Sequence, residues 1–255
     1  MRVAFWTSYY PISDPDRKLE IDTCIRINVE NPCVDVFYIL VENNAELPIE
    51  STKIVKIPIA ERPKYSTFFR LYDSNESSET INVLLNSDIV IDYTHMEWLN
   101  NIEQKMLFAM SRYEIIGDVF PTTMDELSKV RVELCGSIHP TTKWLKNQHY
   151  HCSQDVWVTR GSPSEKHLFD FELGVPKCDG RVAFLFRCKD YKVYNPCLSI
   201  YCYHYHRNPS RNYKAPIIGD TAWILPTNMA ALCSPEHDQT IRCVIMTPKM
   251  KVPPY

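Results

Sequence analysis

The chain has 255 residues, enough for one large α/β domain with its own core and no need of a staple. Its 28 Lys and Arg against 31 Asp and Glu leave a net charge of −3, which excludes the broad positive field of a nucleic-acid binder. Gly is scarce at 6 and Pro frequent at 18, as in a globular protein with many rigid loops, and no apolar run reaches the length of a membrane-spanning helix.

The apolar part of "MRVAFWTSYYP" is too short for a signal-peptide core. The ten cysteines never form C-x-x-C, so a zinc module is not expected. Reduced, mostly buried thiols in a cytoplasmic protein are the expectation.

In chain order, "RVAFWTS" (2–8) reads as a first strand. "PDRKLEIDTCIRINVEN" has apolar residues at helical spacing, and Asn31-Pro32 stops it. "VDVFYILVE" (34–42) is a buried strand with an acidic end, and "KIVKIPI" (53–59) alternates like an edge strand. "YSTFFRLYDSN" (65–75) reads as a helix leading to the strand before Asp88. Residues 97–114 predict a helix and one strand, "MLFAMSRYEII", and 121–152 are polar and irregular. The alternation is that of a doubly wound α/β sheet, mostly parallel and flanked by helices. Ligands in such sheets bind beyond the carboxyl ends of the strands. One catalytic domain over 1–213 is expected, with a C-terminal extension, 214–255, whose role the sequence does not show.

Three constellations carry chemistry. In "LLNSDIVIDYTHMEWL" (84–99) an apolar strand stands on each side of Asp88. Asn86 and Asp88 could address one ligand at a strand end, and a carboxylate there could hold a divalent cation and, through it, a diphosphate. The structural alternative in this stretch is helix capping by Asp92 or Thr94. In "GVPKCDGRVAFLFRC" Asp179 is expected at the N-cap of a helix, a role compatible with a general base. In "YCYHYH" His204 and His206 share one face of a strand, a metal- or phosphate-binding pair or simply a hydrogen-bonded one. The following Arg207 and Arg211 add positive charge.

Set in order, these motifs resemble GT-A-type glycosyltransferases. "LLNSD" is similar to that family's Asp-x-Asp signature, with Asn86 in the first acidic place and Asp88 in the second. "CDGRVAFLFRCKDYKVYNPCLSIYCYHYH" is similar to the run of inverting members, and "SQDVW" with "RNY" looks like a smaller bacterial and large-virus branch. The resemblance spans roughly 1–213 and implies a GT-A Rossmann-like sheet and transfer of a sugar from a UDP- or GDP-sugar donor to a glycan or glycoprotein acceptor. It also implies Mn²⁺ or Mg²⁺ on Asp88 with His204 or His206, and a cytoplasmic site of action, the host cytoplasm for a viral member. Asp179 takes the base position, with Asp155 on the acceptor side or as an alternative base. Thr7, Glu42, Arg62, Asn86, Ser87 and Asp88 are expected at the donor, and Trp157 and Arg181 at the acceptor. The departures are Asn86 for the first Asp, which weakens metal affinity, and Cys178-Asp179 where a Glu is usual. A non-catalytic sugar-binding protein with the same fold is the rival class. A nucleotidyltransferase is disfavoured, because "WTSYYP" has no Gly-rich, Lys-bearing loop.

Overall fold

The computed structural model describes residues 1–135, 153–207, 219–224, 226–232 and 243–246. The expected domain boundary at 213/214 and Arg211 lie outside these residues. β1 (Val3–Tyr9) runs into α1 (Pro15–Glu30), whose cap Asp14 accepts from the Arg17 backbone N–H at 2.8 Å. A proline in the first turn gives up no needed donor. β2 (Val36–Glu42), β3 (Ile54–Ile59), α2 (Tyr65–Asn75) and β4 (Ile81–Leu85) follow as the apolar patterning predicts.

β5 (Ile89–Ile91) comes three residues later, and Asp92 then caps a 3₁₀ segment, accepting from the Thr94 N–H at 2.8 Å. "MLFAMSRYEII" is two strands, β6 (Met106–Met110) and β7 (Tyr113–Ile115), rather than one. α3 (Met124–Leu127), β8 (Val132–Leu134), β9 (Val156–Arg160), α4 (Cys178–Cys188), β10 (Lys192–Tyr194) and β11 (Cys202–His204) complete the body. β12 (Thr221–Ile224), α5 (Met229–Leu232) and β13 (Cys243–Met246) come from the C-terminal part.

The main sheet has seven strands in the order β10-β6-β9-β4-β1-β2-β3. β9 is antiparallel to both its neighbours, and the other pairings are parallel. The molecule is thus an α/β fold, Rossmann-like, with a mostly parallel sheet flanked by helices. A second sheet, β5-β11-β7-β8, lies on the far side of α1. That position explains why α1 shows no single apolar stripe: Ile21, Ile25 and Val29 pack on the main sheet, Cys24 and Ile27 on the small one. Asn28 ties the helix to β5, donating to the Ile89 carbonyl at 2.8 Å and accepting from the Ile91 N–H at 3.2 Å.

Strand alternation divides the core. Phe5 and Tyr9 of β1 and Val156 and Val158 of β9 face α1. Trp6 of β1 and Trp157 of β9 face α2 and α4, among Tyr65, Phe69, Val182 and Phe186. Ala222 and Ile224 of β12 belong to this second core, so the C-terminal part packs on α4.

Candidate active site

The carboxyl ends of the parallel strands open into a cavity of about 620 Å³. Ser8 from the end of β1, Glu42 from the end of β2 and Asn86, Ser87 and Asp88 from the turn after β4 line it. Because β9 runs backwards, its entry rather than its exit lies at this edge, which delivers Ser153 and Asp155 to the same cavity. Arg62 from the loop before α2, Arg112 from the link between β6 and β7, and Lys177 and Asp179 from the start of α4 close the ring. Of the residues singled out in the sequence, Glu42, Arg62, Asn86, Ser87, Asp88, Asp155 and Asp179 therefore share one cavity.

Asp179 stands inside the first turn of α4, not at its N-cap. The cap is Lys177, in the left-handed region at φ 72°, and contributes no side-chain bond. The Asp179 carboxylate takes a long hydrogen bond from the Gln154 backbone N–H at 3.4 Å. Burial pushes its pKa up, the negative charge of Asp155 adds to this, and the Gly180 and Gln154 N–H groups only partly offset them, leaving it at about 6. Asp155 is held by three neighbours. Arg112 Nη1 reaches both of its oxygens at 3.1 Å, Asn86 Nδ2 donates to it at 2.8 Å, and the Ser153 hydroxyl bonds it as well. Two neighbouring carboxylates whose environments differ in this way suit acid–base work.

A second chain of charges runs inward from the cavity lining, through His204 and Glu114. Asp88 Oδ2 accepts from Arg17 Nη2 at 2.7 Å and meets His204 Nε2 at 3.3 Å. His204 Nδ1 lies 2.7 Å from Glu114 Oε2, and Glu114 Oε1 accepts from Arg112 Nε at 2.7 Å. Burial alone would raise both carboxyls. His204 and Arg17 instead hold Asp88 well below the usual range, and His204 and Arg112 hold Glu114 at about 2. Burial and Arg112 would lower His204, but Asp88 and Glu114 outweigh them and raise it, favouring the imidazolium.

This arrangement does not fit the divalent cation that the family resemblance implies. His204 has both ring nitrogens committed to carboxylates, and Asp88 is already shared by a guanidinium and an imidazole. His206 lies beyond the end of β11, its ring stacked on His204 at 5.1 Å, and lines a separate smaller cavity with Phe120 and Arg207. Asn86 and Asp88 both line the cavity, and their protein partners differ, Asp155 for Asn86 and Arg17 for Asp88. Among the described residues, no group of three or more His, Cys, Asp or Glu side chains is arranged to hold a metal.

Three further expectations are corrected. Thr7 is buried on the α1 side of β1, its hydroxyl donating to the Leu85 carbonyl at 2.9 Å, and Ser8 is the β1 residue that reaches the cavity. Trp157 is a core residue 5.1 Å edge-to-face from Tyr65, not an acceptor-side surface. Arg181 stacks over Phe184 and donates to the Asp220 carbonyl at 3.1 Å, so it braces the C-terminal part. The residues not foreseen are Ser8, Arg17, Arg112, Glu114 and Lys177. Only Arg112 left a signal, a lone cation directly after the apolar run of β6.

No family model and no curated protein sequence matches the chain. Among solved structures it is similar to 2-C-methyl-D-erythritol 4-phosphate cytidylyltransferase of Francisella tularensis, at 12% identity over 63% of this chain and 73% of that one, TM-score 0.38. It is also similar to S. aureus TarS 1–349 in complex with UDP-GlcNAc, at 10% identity over 86% and 62% of the respective chains, TM-score 0.46. A third is the inositol-1-phosphate CTP transferase from T. maritima, at 12% identity over 66% and 72%, TM-score 0.34. These likenesses are too distant to transfer function, and the chemistry of the site rests on its own geometry. No described helix is long and apolar enough to cross a membrane.

Proposed function

We propose that the chain is a glycosyltransferase that moves a sugar from a nucleoside-diphosphate donor to the hydroxyl of a glycan acceptor, with inversion. The observation that supports this most is Asp179. It is a half-buried carboxylate in the wall of the strand-end cavity, with a pKa raised to about 6, so it is ionised at neutral pH and basic enough to take a hydroxyl proton. In this reading the acceptor oxygen loses its proton to Asp179 and attacks the anomeric carbon in line. The bond from that carbon to the diphosphate breaks, and the diphosphate leaves with the electron pair. Asp155, engaged by Arg112, Asn86 and Ser153, acts in this reading through its negative charge, which raises the pKa of Asp179. Arg62 and Lys177, in the lining of the same cavity, supply positive charge for the leaving group.

The test is a screen of UDP- and GDP-sugars for donor turnover with and without added glycans, followed by Asp179→Asn. The amide should lower turnover by at least a hundredfold while donor binding stays within about threefold. Near-parental turnover would remove Asp179 as the base, and donor binding without turnover by the parent would favour the non-catalytic sugar-binding reading.

A further inference from the structure

The position that the resemblance gives to a metal ligand is already engaged by a side-chain cation. Arg17 Nη2 sits 2.7 Å from Asp88 Oδ2, and its other terminal nitrogen is 2.8 Å from Glu20 Oε2. A divalent ion on Asp88 would have to settle beside this guanidinium and the His204 imidazole, and among the described residues no group of three His, Cys, Asp or Glu side chains is arranged to share it. Two salt bridges use only part of the five N–H donors of Arg17, which also lines the cavity, so donors remain for a ligand.

Arg62 is the second observation. It is half-buried in the cavity wall, and among the described residues it has no hydrogen-bond or ion-pair partner. Its guanidinium donors are thus uncommitted and open to the cavity, where an anionic ligand can take them. Its place is built. The backbone of Gly174, at φ 73°, passes so close that a Cβ there would lie 2.8 Å from Arg62 Nη2. The two loops are stitched by Leu173 N–H to the Pro63 carbonyl at 3.1 Å and Tyr65 N–H to the Phe171 carbonyl at 3.1 Å.

We infer that the cavity meets the negative charge of a nucleoside diphosphate with guanidinium groups, Arg62 seated on Gly174 and Arg17 seated on Asp88, and not with a divalent cation. This rests on the nucleotide-sugar reading above. Two planar forks held in place by other elements match paired phosphate oxygens in a way a flexible ammonium does not.

The experiment is calorimetric titration of the full chain with UDP, GDP and CDP, in EDTA and in excess Mn²⁺. The expected result is that one nucleotide binds with Kd values within about threefold in the two media. Arg62→Ala should weaken that binding in EDTA by about tenfold or more, Arg62→Lys should recover only part of it, and Gly174→Ala should also weaken it. Melting temperatures of the variants within a few degrees of the parent separate lost binding from lost fold, since Arg62 holds no described partner in place. Binding that appears only with Mn²⁺, or an unchanged Kd in folded Arg62→Ala, overturns this inference and leaves the nucleotide-sugar reading standing. Binding of no nucleotide in either medium overturns both.

Discussion

His204 shows how one side chain can hold two others in their working state. It is almost fully buried between Asp88 and Glu114, and each of these also faces an arginine, Arg17 or Arg112. Replacing it with Ala leaves the buried Asp88 and the partly exposed Glu114 each with one partner fewer. The loss of a partner from such a buried pair costs about 3 kcal/mol. Chemical denaturation of His204→Ala at neutral pH should show a loss of that order, and a loss under about 1 kcal/mol would mean that the arginines alone suffice. At this scale the sequence was partly legible. Asp88, a polar residue between two apolar strands, stood out because a buried carboxylate needs a reason, whereas Asp155 was found only through the family resemblance of "SQDVW". Arg17 and Glu114 did not, because each sits in a stretch where charged residues are ordinary and its partner lies 71 or 90 positions away. Thr7, Trp157 and Arg181 misled for a related reason: proximity to a motif does not say which face of a strand or helix a side chain takes.

Elements were more legible than their companions. β1 to β4 follow from apolar runs and their stops, and Asp92 capping follows from local chemistry. What the pattern did not carry was the assignment of adjacent strands to different sheets. β4 and β5 are separated only by Asn86-Ser87-Asp88, and β6 and β7 only by Ser111-Arg112, yet each pair divides between the two sheets. These short switches place Asn86, Asp88 and Arg112 at the junction of the sheets, where their side chains meet the cavity. The C-terminal part likewise gave no periodic signal, but β12 packs on α4 at Gly180. A Cβ at this position would lie 2.9 Å from Thr221 Cβ and 3.4 Å from the Ala222 carbonyl oxygen. In an exposed helix Gly→Ala gains up to about 1 kcal/mol. Here the overpacking against a strand costs about 1–3 kcal/mol, so Gly180→Ala should be destabilising in denaturant titration. A stabilised variant would show that β12 does not press on α4.

For the molecule as a whole, the charges that make the site pull stability and activity in opposite pH directions. Asp88 and Glu114 have folded pKa values below the ordinary carboxylate range, so their stabilisation is complete above about pH 4.5 and is lost as pH falls through the folded values, about 2 for Glu114. His204 has a raised pKa, so its contribution is complete below about pH 6.5 and is lost as pH rises through the folded value. Asp179 is raised to about 6, so its contribution is present below about pH 4 and is lost as pH climbs to that value. Unfolding free energy should therefore peak on the acid side, at about pH 4 to 5, and decline toward pH 8. In the proposed mechanism turnover needs ionised Asp179, so kcat/KM should rise through about pH 6, where stability is already falling. Asp179→Asn separates the two, because it removes the turnover limb together with the stability lost between about pH 4 and 6. It should make the folded chain more stable than the parent at neutral pH, by on the order of 1–2 kcal/mol after allowance for solvent access. Denaturant titrations of parent and variant across this pH range decide the matter: parallel curves would mean that folding does not raise the pKa of Asp179 and would remove the basis of its role as the base.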